Sequence, residues 1–250
     1  MHLSAAKKKQ KIIVKEKNLC YNCYMDLDIY LHAAKEGESG KKFALFYQLL
    51  LAYNEKFNLT RIVSEEDCLI KHFADSLAGE KYFKKGARVI EVGSGGGFPS
   101  VPLMIYRQDL NFVLLEASEK KCGFLEKAVG ELGLPAKVVH GRAEELGRRE
   151  DFREKFDACT ARAVAKLNTL AEYCIPFVKK GGRFIAYKGR AEEEITAAGR
   201  AFAELGARLE KADTFELTDG SARTLVVAEK TGNTPAKYPR GRGKERSSPL

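Results

Sequence analysis

The chain has 250 residues, of which 44% are hydrophobic, enough for a sizeable core. No stretch approaches the ~18 consecutive apolar residues of a membrane span, and the N-terminus lacks the apolar segment of a secretory signal, so the expectation is a cytoplasmic protein with no membrane partner. The formal net charge of +9 is unevenly placed: residues 1–17 carry six lysines against one glutamate and residues 231–250 five Lys or Arg against one glutamate, which leaves the body neutral.

In chain order, residues 1–24 show no helical periodicity and read as a basic extension, with Met25 an alternative start. Apolar residues then recur at helical intervals over 41–57 (Phe43, Phe46, Tyr47, Leu50, Tyr53, Phe57), and a second helix is predicted from Ser64 to about Tyr82, so 25–85 forms a helical segment. From 86 to 230 strands and helices alternate. Strands are predicted at 88–92, 111–116, 136–140, 156–160 and 183–187, and helices from 99 and over 118–132, 166–178 and 190–205. Residues 208–217 and 223–229 flank Asp219-Gly220 and read as an antiparallel pair joined by a turn. The alternation implies an α/β fold: a mostly parallel, Rossmann-like sheet covered by helices on both faces, with an antiparallel hairpin at its end. Residues 231–250 read as a flexible basic tail, and both tails suit a phosphate-rich partner, because each Lys or Arg releases counterions from a nucleic acid.

The chemistry concentrates at Arg88-Val-Ile-Glu-Val-Gly-Ser-Gly-Gly-Gly-Phe-Pro99, an apolar strand that empties into glycines. The dinucleotide fingerprint needs a glycine where Phe98 stands, and the P-loop pattern needs an absent Gly-Lys-Ser/Thr. Gly93, Gly95 and Gly97 follow Glu91 by two residues and beyond, and a second apolar strand ends in Glu116, where a ribose-binding carboxylate is expected. That arrangement suits S-adenosylmethionine, which has no phosphates to hold, and Glu91 is placed to attract its cationic part. Cys20-x-x-Cys23 lacks the second pair of ligands that a tetrahedral zinc site needs, so no metal is expected. The cysteines, Cys20, Cys23, Cys68, Cys122, Cys159 and Cys174, are expected to form no disulfides.

Several stretches from about residue 41 onward together resemble one family. They are Tyr53-Asn-Glu-Lys-Phe-Asn-Leu-Thr60, Lys71-His-Phe-Ala-Asp-Ser-Leu77, Glu91-Val-Gly-Ser-Gly-Gly-Gly-Phe-Pro99, Leu115-Glu-Ala-Ser-Glu-Lys-Lys121, Gly141-Arg-Ala-Glu-Glu145, Thr160-Ala-Arg-Ala-Val-Ala165, Tyr187-Lys-Gly189, and a closing Tyr238-Pro-Arg with Pro-Leu250. Their order and spacing resemble the bacterial RsmG (GidB) family, whose members transfer a methyl group from S-adenosylmethionine to N7 of a guanosine in 16S rRNA. The chain departs from the family pattern at Glu91, where aspartate is usual, and at Ser100, where glycine is common.

The resemblance implies cofactor contacts at Gly93, Phe98, Ala143, Glu144 and Arg162, to which the strand argument adds Gly95, Gly97 and Glu116. It places Asn58, Arg142, Arg162 and Arg223 at positions tied to RNA or activity, with Lys188 and His72 as weaker candidates. It also implies 16S rRNA as the partner, within the 30S subunit, and a monomeric enzyme. Guanine N7 carries no proton, so no general base is needed. Methylation of an exocyclic amine would call for Asp/Asn-Pro-Pro-aromatic where the chain reads Thr160-Ala-Arg-Ala163, and Cys159 lies inside a strand pattern, where it reads as a packed thiol. Two other readings stand beside this one: a small-molecule methyltransferase, and an RNA-binding assembly factor that keeps the fold without the transfer.

Overall fold

The computed structural model describes residues 36–250 together with residues 32 and 34; the basic run at 1–17, Cys20, Cys23 and Met25 lie outside the described residues. The sheet has seven strands: β1 (Arg88–Val92), β2 (Asn111–Glu116), β3 (Ala136–His140), β4 (Phe156–Arg162), β5 (Val178–Lys188), β6 (Ala207–Glu216) and β7 (Ala222–Lys230). Their order is β3-β2-β1-β4-β5-β7-β6, with β1 to β5 parallel and β7 antiparallel to both its neighbours. The terminal hairpin is therefore present, and its second strand is the inner one.

The helices are α1 (Gly37–Phe57), α2 (Glu65–Cys68), α3 (Asp75–Leu77), α4 (Ser100–Tyr106), α5 (Glu119–Leu132), α6 (Ala143–Leu146), α7 (Leu167–Cys174), α8 (Glu192–Glu204) and α9 (Lys244–Ser247). Side chains alternate across the central strands, which divides the core in two. Val89, Phe112 and Leu114 pack with Phe43, Phe46 and Leu50 of α1 and with α4 and α5. Ile90, Val92, Val113 and Leu115 face α7 and α8 on the other side. The aromatic stripe of α1 is thus a core face, with the Phe46 ring 5.3 Å from Phe98 and 6.4 Å from Phe124.

Two sequence expectations need correction. The helix expected over 64–82 is not continuous: Ser64 caps α2 by accepting from the Asp67 amide, a π-helical turn follows at Leu69–Ala74, then α3 and a 3-10 turn at Glu80–Tyr82. A π turn carries one extra residue, and here it lies where His72 and Asp75 turn inward. Residues 231–250 are not a free tail. Arg153 donates to the carbonyls of Gly147, Thr234, Pro235 and Tyr238, and the Arg240 guanidinium grips Glu172 of α7 at 2.7 Å. Tyr238 and Glu245 are buried, so part of the segment's charge is used inside the fold. Among the described residues, no helix is long and apolar enough to cross a membrane.

Candidate active site

The site forms where β1, β2 and β4 end. The amides of Gly93 and Ser94 both donate to the Leu115 carbonyl, at 2.8 and 3.1 Å, which folds the glycine loop over the end of β2. Glu116 answers from below: one carboxylate oxygen accepts from the Gly95 amide and the other from the Ser118 amide, each at 2.9 Å. The carboxylate is held in place while each oxygen keeps a lone pair for a ligand. Gly93 has φ +71, and a Cβ there would sit 2.7 Å from a methyl of Val164. Gly97 is different. It lines neither of the site's cavities, and a Cβ at φ +83 would meet Val101 at 2.7 Å, so it serves the packing of α4 on the loop.

Two cavities meet at Gly93. One, of about 490 Å³, is bounded by Gly95, Phe98, His72, Arg162, Lys188 and Arg223. The other, of about 360 Å³, lies beside Glu116, Arg142, Ala143 and Glu144. The sequence candidates therefore separate: Arg162 and Arg223 stand in the first cavity, whereas Arg142, at the N-cap of α6, stands in the second. Asn58 lines neither. It is the exposed C-cap of α1, in the left-handed conformation that asparagine tolerates. Its neighbour Asn54 does the local ordering, accepting from the Thr60 amide at 2.8 Å.

In the first cavity one buried carboxylate holds two arginines. Asp75 accepts from Arg162 at 2.9 Å and from Arg223 at 3.1 Å, and Arg162 also donates to the Lys71 carbonyl and to Nδ1 of His72. Because Nδ1 accepts, the imidazole proton belongs on Nε2, which faces the Thr60 hydroxyl at 2.7 Å. Burial, reinforced by the charges of Arg162 and Arg223, pushes His72 down to about 3, so it stays neutral. The Phe98 ring covers this pair, stacked on His72 at 4.1 Å and facing the Arg162 guanidinium at 4.8 Å. Lys188 is tied to Glu194 at 2.8 Å and to the Ala165 carbonyl.

Glu91 does not reach either cavity. Its carboxylate is fully buried with neither oxygen hydrogen-bonded, and burial pushes it up to about 7 against the pull of Ser100, Ser94 and Arg162. A direct contact with a cofactor's cationic end is thereby corrected, because the acid is sealed beneath the loop. Cys159 is a fully buried thiol packed in the core. Asp75 was not among the sequence candidates, although a lone acid within the apolar run Phe73-Ala-Asp-Ser-Leu77 is the signal that marks it. Lys71, Lys121, Tyr173 and Arg246, which also line the cavities, carry no comparable signal.

Residues 39–223 match the family model described as rRNA small subunit methyltransferase G (GidB). The chain is 47% identical over 212 residues to the Ribosomal RNA small subunit methyltransferase G of Caldanaerobacter subterraneus subsp. tengcongensis, covering 83% of this chain and 89% of that protein. It belongs to this family. The protein of the same description from Lactobacillus acidophilus is 43% identical over 218 residues, covering 84% of this chain and 90% of its own. Among solved structures, a SAM-dependent methyltransferase from Aquifex aeolicus superposes with a TM-score of 0.54 at 15% identity, over 70% of this chain and 97% of that one, a likeness of fold.

Proposed function

We propose that this enzyme transfers a methyl group from S-adenosylmethionine to N7 of a guanosine in 16S rRNA, acting as a monomer on RNA within the 30S subunit. The observation that carries the reading is the meeting, at a glycine without room for a Cβ, of an acid-bearing cavity and an arginine-bearing one. The residues fit the methyl donor. Glu116 has free lone pairs for two ribose hydroxyls, and the Ala143 backbone and the Glu144 carboxylate, which line the same cavity, would hold the adenine edge. Bound there, S-adenosylmethionine supplies a methyl group already activated on a sulfonium.

The protein's own part is alignment. Arg162 and Arg223 present planar donors to the target guanine and its phosphate, and Asp75 fixes both. Asp75 is the anchor of two arginines, and His72 has its Nδ1 lone pair taken up by Arg162, so it does not serve as a base. Guanine N7 needs none, since it attacks through its lone pair and carries no proton to remove. The test is transfer of labelled methyl to 30S subunits that lack the mark, followed by N7-specific cleavage of the RNA. Binding of the subunits without transfer would overturn the reading in favour of an assembly factor.

A further inference from the structure

We propose that the returning C-terminal segment is the outer wall of the adenosine cavity and that Arg246 lies against the adenine, a cofactor-binding residue and not an RNA-binding one. The proposal rests on the reading of the second cavity given above. That cavity is lined by Tyr173 of α7 and by Gly243 and Arg246, the last two arriving there because the chain folds back after β7.

The return path is fastened along its length. The amides of Thr231 and Gly232 both donate to the Gly206 carbonyl at 2.9 Å. Farther on, Glu172, with no exposed surface, accepts from both the backbone and the guanidinium of Arg240. Thr169 donates its hydroxyl to the Glu245 carbonyl at 2.9 Å, and the Glu245 side chain is itself fully buried, accepting from the Gly241 amide. Thr169 and Glu172 lie on the same helix as Tyr173, so α7 is the dock that sets the segment's distance from the cavity.

This anchoring leaves Arg246 exposed at the cavity mouth, beside Tyr173. Tyr173 and Arg246 line the cavity together, and burial raises the Tyr173 phenol while the Arg246 guanidinium opposes the rise. A planar guanidinium can stack flat on a purine face, which an ammonium cannot do, and Arg246 lines the same cavity as Glu116 and Glu144. Of the arginines tied to RNA or activity, Arg162 and Arg223 line the other cavity and Arg142 lines this one.

The test uses the full chain and measures binding of S-adenosylhomocysteine and of 5′-methylthioadenosine, which lacks the amino-acid half, by titration calorimetry. R246A is expected to weaken both ligands about tenfold with an unchanged melting temperature, and R246K to stay within about threefold of R246A. R242A, in the same segment but outside the cavity, is expected to bind as wild type does. Wild-type affinity in R246A, an equal loss in R242A, or a loss confined to rRNA binding would each overturn the proposal. Failure of the wild-type protein to bind either ligand would instead overturn the functional reading itself.

Discussion

Glu91→Gln is expected to stabilise the protein at about pH 8 and leave it nearly unchanged at about pH 4. Glu91 lies on β1 with no exposed surface, and neither carboxylate oxygen is hydrogen-bonded. Burial raises its carboxyl from 4.5 to about 7, because an ionised group under the glycine loop has lost its water and gained too little in return. Below 4.5 the acid is neutral in both folded and unfolded chains, and glutamine is a fair stand-in for it. Between 4.5 and about 7 the unfolded chain releases the proton and the folded one keeps it, so the unfolded state binds fewer protons and stability falls as pH rises. Above about 7 the loss is complete. At about 1.4 kcal/mol per pH unit it amounts to something on the order of 3 kcal/mol. Urea denaturation of both proteins across this range isolates the term, since every other titrating group is common to the two and cancels in the difference. A difference that stays constant from pH 4 to pH 8 would refute the reasoning.

Four further outcomes are expected. Gly93→Ala places a Cβ 2.7 Å from Val164 at a positive φ; it should cost ~1–2 kcal/mol of stability and weaken S-adenosylhomocysteine binding by more than tenfold, checked by equilibrium dialysis, and unaltered affinity would count against the loop as the cofactor's seat. Arg162→Ala should reduce methyl transfer by roughly a hundredfold or more with the circular dichroism spectrum retained, since it removes the group that Asp75, His72 and Phe98 jointly position. Arg240→Ala leaves Glu172 buried without its ion-pair partner and should cost ~3–5 kcal/mol in chemical denaturation, a loss under about 1 kcal/mol being contrary evidence. His72, held down to about 3, should show no NMR titration near 6.5; its contribution to stability is fully present above the unfolded value of 6.5 and is lost as pH falls from there toward about 3.

The central fold was legible because its signals are local and repeated. A buried parallel strand reads as an unbroken apolar run, and Val89-Ile90 and Phe112-Val-Leu-Leu115 fill both faces of the sheet as that reading requires. The π turn at Leu69–Ala74 is not legible in the sequence, since the shift of about 100° that one inserted residue brings needs several turns on either side to be read, and 64–82 is too short. What decides it is tertiary: the turn brings His72 and Asp75 to Arg162, which lies about 90 residues away in sequence. The C-terminal segment was misread for a related reason. Charge counted along a sequence takes each Lys or Arg as solvated, but Arg240 is paired with a glutamate of α7 that no local pattern connects to it.

The site candidates show the same division at finer scale. Gly93, Gly95 and Glu116 are legible from the spacing of a strand, a loop and a second strand, and the structure ties the loop to the second strand through the Gly93 amide on the Leu115 carbonyl and the Gly95 amide on Glu116. Spacing alone gave Gly97 the same standing, yet its missing Cβ is needed against Val101 and Phe46, not against a ligand. Arg162 and Arg223 come from the family resemblance, and matched positions do not show that a single carboxylate holds both. Two guanidinium groups brought together repel, and a buried acid bonded to each lowers that cost while fixing their planes. Asp75 is therefore the residue on which the geometry of the first cavity turns. Replacing it with asparagine removes the charge and keeps the shape, and it should impair methyl transfer more than it impairs cofactor binding, because Glu116 and the glycine loop do not depend on it.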